Sequence, residues 1–196
     1  MTKFLKAMLR RWKLTIGVLF GLLVFSVSVG ISGAYVLAYT STEEFCVSCH
    51  EMSYSYVEFK GTVHDTNRTG VRAICTDCHV PHEPGPLVLA KIKASRDLYY
   101  TYIDPTIDTK EKFEARRAYL AHRVWKDMKA SDSHQCRSCH RADKMNPDLQ
   151  SSRAQAKHAV AKKEGLTCID CHFGIAHNEP AGPGPRELFP AAAKKL

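Results

Sequence analysis

The pentapeptide Cys46-Val47-Ser48-Cys49-His50 constrains this chain more than any other feature, because it recurs three times. The other copies are Cys75-Thr76-Asp77-Cys78-His79, Cys136-Arg137-Ser138-Cys139-His140 and Cys168-Ile169-Asp170-Cys171-His172, and together they use all eight cysteines. C-x-x-C alone also serves zinc sites and redox dithiols. The invariant fifth histidine argues against a pair of zinc sites. C-x-x-C-H is the pattern for covalent c-type haem: two thiols reach the vinyl groups of one porphyrin, and the adjacent imidazole sits beneath its iron. Four covalently bound haems c are expected, with His50, His79, His140 and His172 as their proximal ligands.

The second constraint is a run without charge, from Leu14 to Thr42. About 20 apolar residues cross a bilayer, and this run is too long for the core of a cleaved signal, about 7–15 residues. Lys3, Lys6, Arg10, Arg11 and Lys13 precede it, and the first acidic residue is Glu43. The positive-inside rule then leaves residues 1–13 cytoplasmic, residues 14–39 as an anchor, and the rest outside. In a bacterium this is a single-pass inner-membrane protein with a periplasmic haem domain, residues 40–178, followed by a Pro/Gly-rich tail, residues 179–196. Gly17 and Gly21 have the spacing of close-packed membrane helices, which raises a homodimer through the anchor. Net charge is +8, of which five cations precede the anchor. The remaining excess suits haem propionates, and no aromatic-interleaved basic block points to nucleic acid.

The motifs form an internal repeat. Cys46 to Cys75 spans 29 residues, Cys136 to Cys168 spans 32, and the gap between Cys75 and Cys136 is 61. This reads as two di-haem modules with a helical connector. The connector is expected to begin at Gly85-Pro86, run from Leu87 to Tyr102, and resume at an N-cap on Asp108. Phe113, Leu120, Ala121, Val124 and Met128 form its packing stripe. The tail after His177 is expected to be extended. The fold class is mainly α with much irregular structure: one transmembrane helix plus a domain whose core is haem, unable to fold without it.

Six further histidines can close the iron coordination. His64 and His158 precede the second and fourth motifs at matching distances, and His177 follows the fourth. These three are candidate distal ligands. His82 stays open, and His122 and His134 read as structural. After the first motif comes Met52, a thioether that either packs or ligates the first iron in place of His50. The first haem, close in sequence to the anchor, is placed to exchange electrons with a lipid-soluble quinol.

Several segments resemble the NapC/NirT family of membrane-anchored multihaem quinol dehydrogenases, which includes NrfH. They are Thr42-Glu43-Glu44-Phe45, the Met after the first motif, Val63-His64, Asn67-Arg68-Thr69-Gly70-Val71-Arg72-Ala73, Cys78-His79-Val80-Pro81-His82 and Gly174-Ile175-Ala176-His177. The first half is most similar to NapC, and no extra haem domain of the TorC kind is expected. The resemblance implies oxidation of menaquinol or ubiquinol beside the first haem. Electrons then pass to a soluble periplasmic reductase, with nitrate reductase as the expected acceptor. It implies Met52 as a ligand of the first haem, Asp97 facing it, and Lys91 binding quinol. It implies the iron pairs His79 with His177, His140 with His64, and His172 with His158. NrfH-like chains lack a His equivalent to His158, so its presence here favours a fourth haem of the NapC type. Chemically, a carboxylate can take a quinol proton and a lysine can steady its oxygen. The bland alternative for Asp97 is a surface pair with Lys93. The rival functions are an NrfH-type donor to a multihaem nitrite reductase, a small-oxyanion reductase, and a passive relay.

Overall fold

The structure is a computed structural model that describes residues 2–190. The side chains of Lys3 and Lys6 and the final tail residues, 191–196, lie outside the described residues. Among the described residues every regular element is helical.

The first helix, α1, covers Thr2–Tyr39, 38 residues. At 1.5 Å per residue it is about 57 Å long. Its apolar part is Met8–Tyr39, 32 residues. The helix therefore continues through the basic head, where Lys, Arg, Leu and Met are all good helix formers. Tyr35 and Tyr39 stack one turn apart, ring centres 6.3 Å from each other.

From Thr42 onward the chain forms a separate unit of short helices. These are α2 (Glu43–Val47), α3 (Met52–Phe59), α4 (Cys75–His79), α5 (Pro84–Tyr102), α6 (Lys110–Ala130), α7 (His134–Cys139), α8 (Ser152–Glu164) and α9 (Pro185–Leu188). Prolines at positions 84 and 86 occupy the first turn of α5, where no intrahelical N–H is needed. The helix thus starts one residue before Gly85-Pro86. At α6 the cap is Thr109 rather than Asp108: the Thr109 hydroxyl accepts from the Lys112 N–H at 3.3 Å. Asp108 instead pairs with the Lys112 ammonium at 2.7 Å.

The two repeats do not form two compact units. The connector returns on itself, and α7 of the third motif packs on α4 of the second. Protein atoms alone bury few apolar side chains: Phe59, Phe113, Trp125 and Ile169. Phe113 packs on Tyr54 and Trp125 on Phe173. Phe113 of the expected stripe is buried, and its other members are half-buried around Trp125. The tail is not extended throughout. Residues 185–188 form α9, Pro185 is fully buried, and the turn packs on α6 and on the fourth motif. A proline buries apolar surface at little side-chain entropy cost, which favours docking over a free tail.

Candidate multihaem redox site

Each motif is built on a helical turn, and the turns alternate in kind. In the first and third motifs the residue before the second cysteine is serine. Ser48 donates to the Phe45 carbonyl and Ser138 to the Gln135 carbonyl, both at 2.7 Å. In the second and fourth it is aspartate. Asp77 accepts from the Ile74 N–H and Asp170 from the Thr167 N–H, both at 2.8 Å. A carboxylate there satisfies an orphan donor at the start of the turn. The repeat seen in the motif spacing thus extends to its hydrogen bonds.

The motifs follow one another in space as in sequence. The side chains of Cys46 and Cys75 are neighbours in space. Helix α2 packs on α4, and α4 on α7. Cys136 lies within electrostatic reach of both Cys168 and Cys78. Ser133, fully buried and with φ +52°, caps the link between the last two motifs: its hydroxyl accepts from the Ile169 N–H at 3.1 Å. The Lys129 ammonium from α6 pairs with Asp170, whose carboxylate is fully buried. Burial raises the Asp170 carboxyl, but Lys129 and the Thr167 N–H more than offset this.

Three of the four motif histidines face a second imidazole. Ring centres are 6.1 Å apart for His64 and His140, 6.1 Å for His79 and His177, and 6.2 Å for His158 and His172. A nitrogen about 2 Å from a metal and about 1.1 Å from its own ring centre sets two rings roughly 6 Å apart across one ion. The residues therefore fit a bis-imidazole iron at each pair. Two partners are also turned correctly. His177 Nδ1 donates to the Ser55 carbonyl at 3.1 Å, and His158 Nδ1 to the Gln150 side-chain oxygen at 2.7 Å. Both acceptors lack a proton to give, so Nδ1 carries the hydrogen and Nε2 keeps its lone pair for a metal. Burial holds His79 down to about 4 and pulls His177 below its usual value, keeping both in the neutral form that binds iron. The segment bearing His64 is tied to α2 by Arg72, which bonds Asp65 at 2.8 Å and Glu43 at 3.0 Å.

The first motif is different. Among the described residues His50 faces no second imidazole. Its Nε2 lies 3.2 Å from the Asp108 carbonyl and its Nδ1 3.3 Å from the Glu51 carboxylate. Met52 is 40% exposed, whereas Glu51 beside it is buried. No sequence pattern marks Glu51 as buried: a lone carboxylate between His50 and Met52 reads as solvated.

Lys91 is half-buried and within electrostatic reach of Cys46; burial pulls its ammonium below the usual range. Asp97 lies six residues further along α5, about 9 Å along the axis. Partial loss of water raises its carboxyl, against Arg123 and Arg96. The structure brings Lys91 to the first motif and gives Asp97 cationic neighbours. A Lys93–Asp97 ion pair does not form among the described residues. The remaining histidines have other company: His82 lies 3.9 Å from Asp77, His122 packs on Trp125, and His134 pairs with Glu83 at 2.7 Å.

The chain matches the model of the NapC/NirT cytochrome c family, N-terminal region, over residues 8–182. A putative tetrahaem cytochrome c of Allochromatium vinosum is 51% identical over 144 residues, 74% of this chain and 78% of that one. The denitrification system component NirT of Stutzerimonas stutzeri is 48% identical, covering 83% of each chain. The cytochrome c-type protein NapC of Escherichia coli K12 is 51% identical, covering 71% of this chain and 70% of that one. No solved structure matches the chain significantly. The four motifs bind four haems c covalently, and α1 anchors them to a membrane. With four haem motifs in spatial sequence and a match across most of its length, the chain belongs to the NapC/NirT cytochrome c family and is a membrane-anchored electron-transfer protein.

Proposed function

We propose that the protein oxidises quinol at the bacterial inner membrane and delivers the electrons to a soluble periplasmic reductase, with nitrate reductase as acceptor. The observation that carries this reading is the contrast among motifs. Three histidines have an imidazole partner at iron-bridging distance, and His50 has none among the described residues. Cys46 follows the last residue of α1 by only seven positions, a tether of at most about 25 Å. The unpaired motif is therefore the one tied closest in sequence to the anchor, which favours a donor from the lipid phase, where quinol resides.

In this reading Met52 or His50 ligates the first haem. His64 pairs with His140, His79 with His177, and His158 with His172. Oxidation of quinol to quinone releases two electrons and two protons. Lys91 holds a quinol oxygen, and its lowered pKa reflects a site partly withdrawn from water. Asp97 receives a proton, and its raised pKa brings the carboxylate nearer the operating pH of a base. The haems supply one-electron iron chemistry. The serial packing of the motifs supports transfer from the first towards the fourth, and the His158–His172 spacing supports a NapC-type terminal centre.

The test is anaerobic stopped-flow reduction of the purified, haem-loaded protein in detergent by a menaquinol analogue, with a quinol-site inhibitor as control. Rapid, inhibitor-sensitive reduction is expected. Haems that dithionite reduces but quinol does not would overturn the proposal.

A further inference from the structure

We infer that the Glu58–Arg117 ion pair is a positioning clamp that holds His177 in place as the distal ligand of the second haem. The inference rests on the proposed pairing of His79 with His177. His177 lies in the irregular stretch between the fourth motif and α9, so no helix fixes its backbone. Side chains do so instead, at three points. The His177 ring donates to the Ser55 carbonyl at 3.1 Å. The Asn178 N–H donates to the Glu58 carboxylate at 3.0 Å. The Asn178 carbonyl accepts from the Arg117 guanidinium at 3.2 Å.

Ser55 and Glu58 stand one turn apart on α3, hence on one side of it. Arg117 comes from α6 and engages Glu58 through both terminal nitrogens, one at 2.8 Å. Its Nε and second nitrogen also hold Glu114, at 2.6 and 2.8 Å, and its guanidinium lies 4.8 Å from the Phe113 ring centre. Arg117 and Glu58 side chains are only 12% and 13% exposed. A planar guanidinium bound on two edges and stacked on a ring has almost no rotational freedom left. It is a rigid peg rather than a solvated charge. Helix α3 begins at Met52, directly after the first motif, so the clamp also refers the second haem's distal ligand to the first haem's own helix.

The experiment is ferric-state EPR and near-infrared magnetic circular dichroism on the haem-loaded, full-length protein. Removing a hydrogen bond to a charged group shifts an equilibrium by about tenfold or more. Arg117→Ala and, more mildly, Glu58→Gln are expected to raise the ligand-detached, high-spin population of one haem by about that factor, leaving the other haems' signals unchanged. Arg117→Lys, which keeps the charge but loses the fork, should rescue only part of the signal. His177→Ala must convert the same haem fully. If His177→Ala leaves every haem low-spin, the ligand assignment itself fails. If His177→Ala converts one haem but Arg117→Ala and Glu58→Gln alter only the melting temperature, the ligand stands and the clamp is overturned.

Discussion

The first repeat, with motifs one and two, and the second, with motifs three and four, have similar spacing and share the Ser-then-Asp alternation of hydrogen bonds, yet they differ at their leading motif. His140 faces an imidazole supplied by the other repeat, whereas His50 faces a backbone carbonyl and is followed by Met52. Nearly the same local scaffold therefore meets an imidazole in one place and, among the described residues, none in another. The chemistry of a c-type motif is set less by its five residues than by what a remote segment brings to its far side. Their second motifs differ as well. Asp170 is fully buried against Lys129, while Asp77 is one-third exposed and, besides the Ile74 N–H, has His82 at 3.9 Å.

That contrast can be pushed until it breaks. Lys129→Met leaves the Asp170 carboxylate buried and unpaired, which should cost about 3–5 kcal/mol, read as a loss of thermal stability of the haem-loaded protein. A loss below about 1 kcal/mol would mean that the fourth motif is no more dependent on its aspartate than the second. Next, Asp97→Asn should slow menaquinol-driven haem reduction by about a hundredfold with dithionite reduction unchanged, the scale of a lost general base. An unaltered rate would remove Asp97 from the quinol site and leave the first motif distinguished by ligation alone. Asp77→Ala should cost only about 1 kcal/mol, as for a helix cap near the surface. In the melting curve it should be clearly milder than Lys129→Met.

The mildest effect is the response to acid. Asp65 is held below the carboxylate range by the Gly61 N–H and Arg72, and Glu58 and Asp170 lie below it because their partners outweigh burial. Each proton affinity is lower folded than unfolded, so the unfolded chain binds more protons and stability rises with pH. Their contribution should be complete above the ordinary carboxylate range, about pH 5, and fade as pH falls through about 4 and below. Melting temperature followed at the Soret band from pH 8 downward should stay flat and then drop. A rise on acidification would show that the sign is wrong.

Much of this was readable along the chain because it is local. Four pentapeptides, an uncharged run and prolines at a helix start announce themselves within a few residues. The serine–aspartate alternation was equally present in the string, at the third position after each motif's last non-motif residue, but only the hydrogen bonds give it meaning. The pairing of distal histidines needed repeat symmetry and family likeness, since His64 and His140 are far apart in sequence. Other features had no local mark at all. Glu58 and Arg117 are 59 residues apart and look like ordinary surface charges. Glu51 looks like a solvated residue and is buried. Proline and glycine in the tail suggest extension, yet Pro185 found a hollow against α6 and the fourth motif. The choice between Asp108 and Thr109 as cap turned on which side chain had a better use elsewhere, and Lys112 supplied one to Asp108.

The threading of ligands between repeats also sets a timetable for biogenesis. On the proposed pairing, the partner of the second haem, His177, lies 98 residues after His79, so it is made long after the second motif. The third centre, by contrast, finds His64 already waiting. On that pairing, haems attached in chain order would not become finished centres in chain order: the second would wait for a ligand that lies beyond the fourth motif.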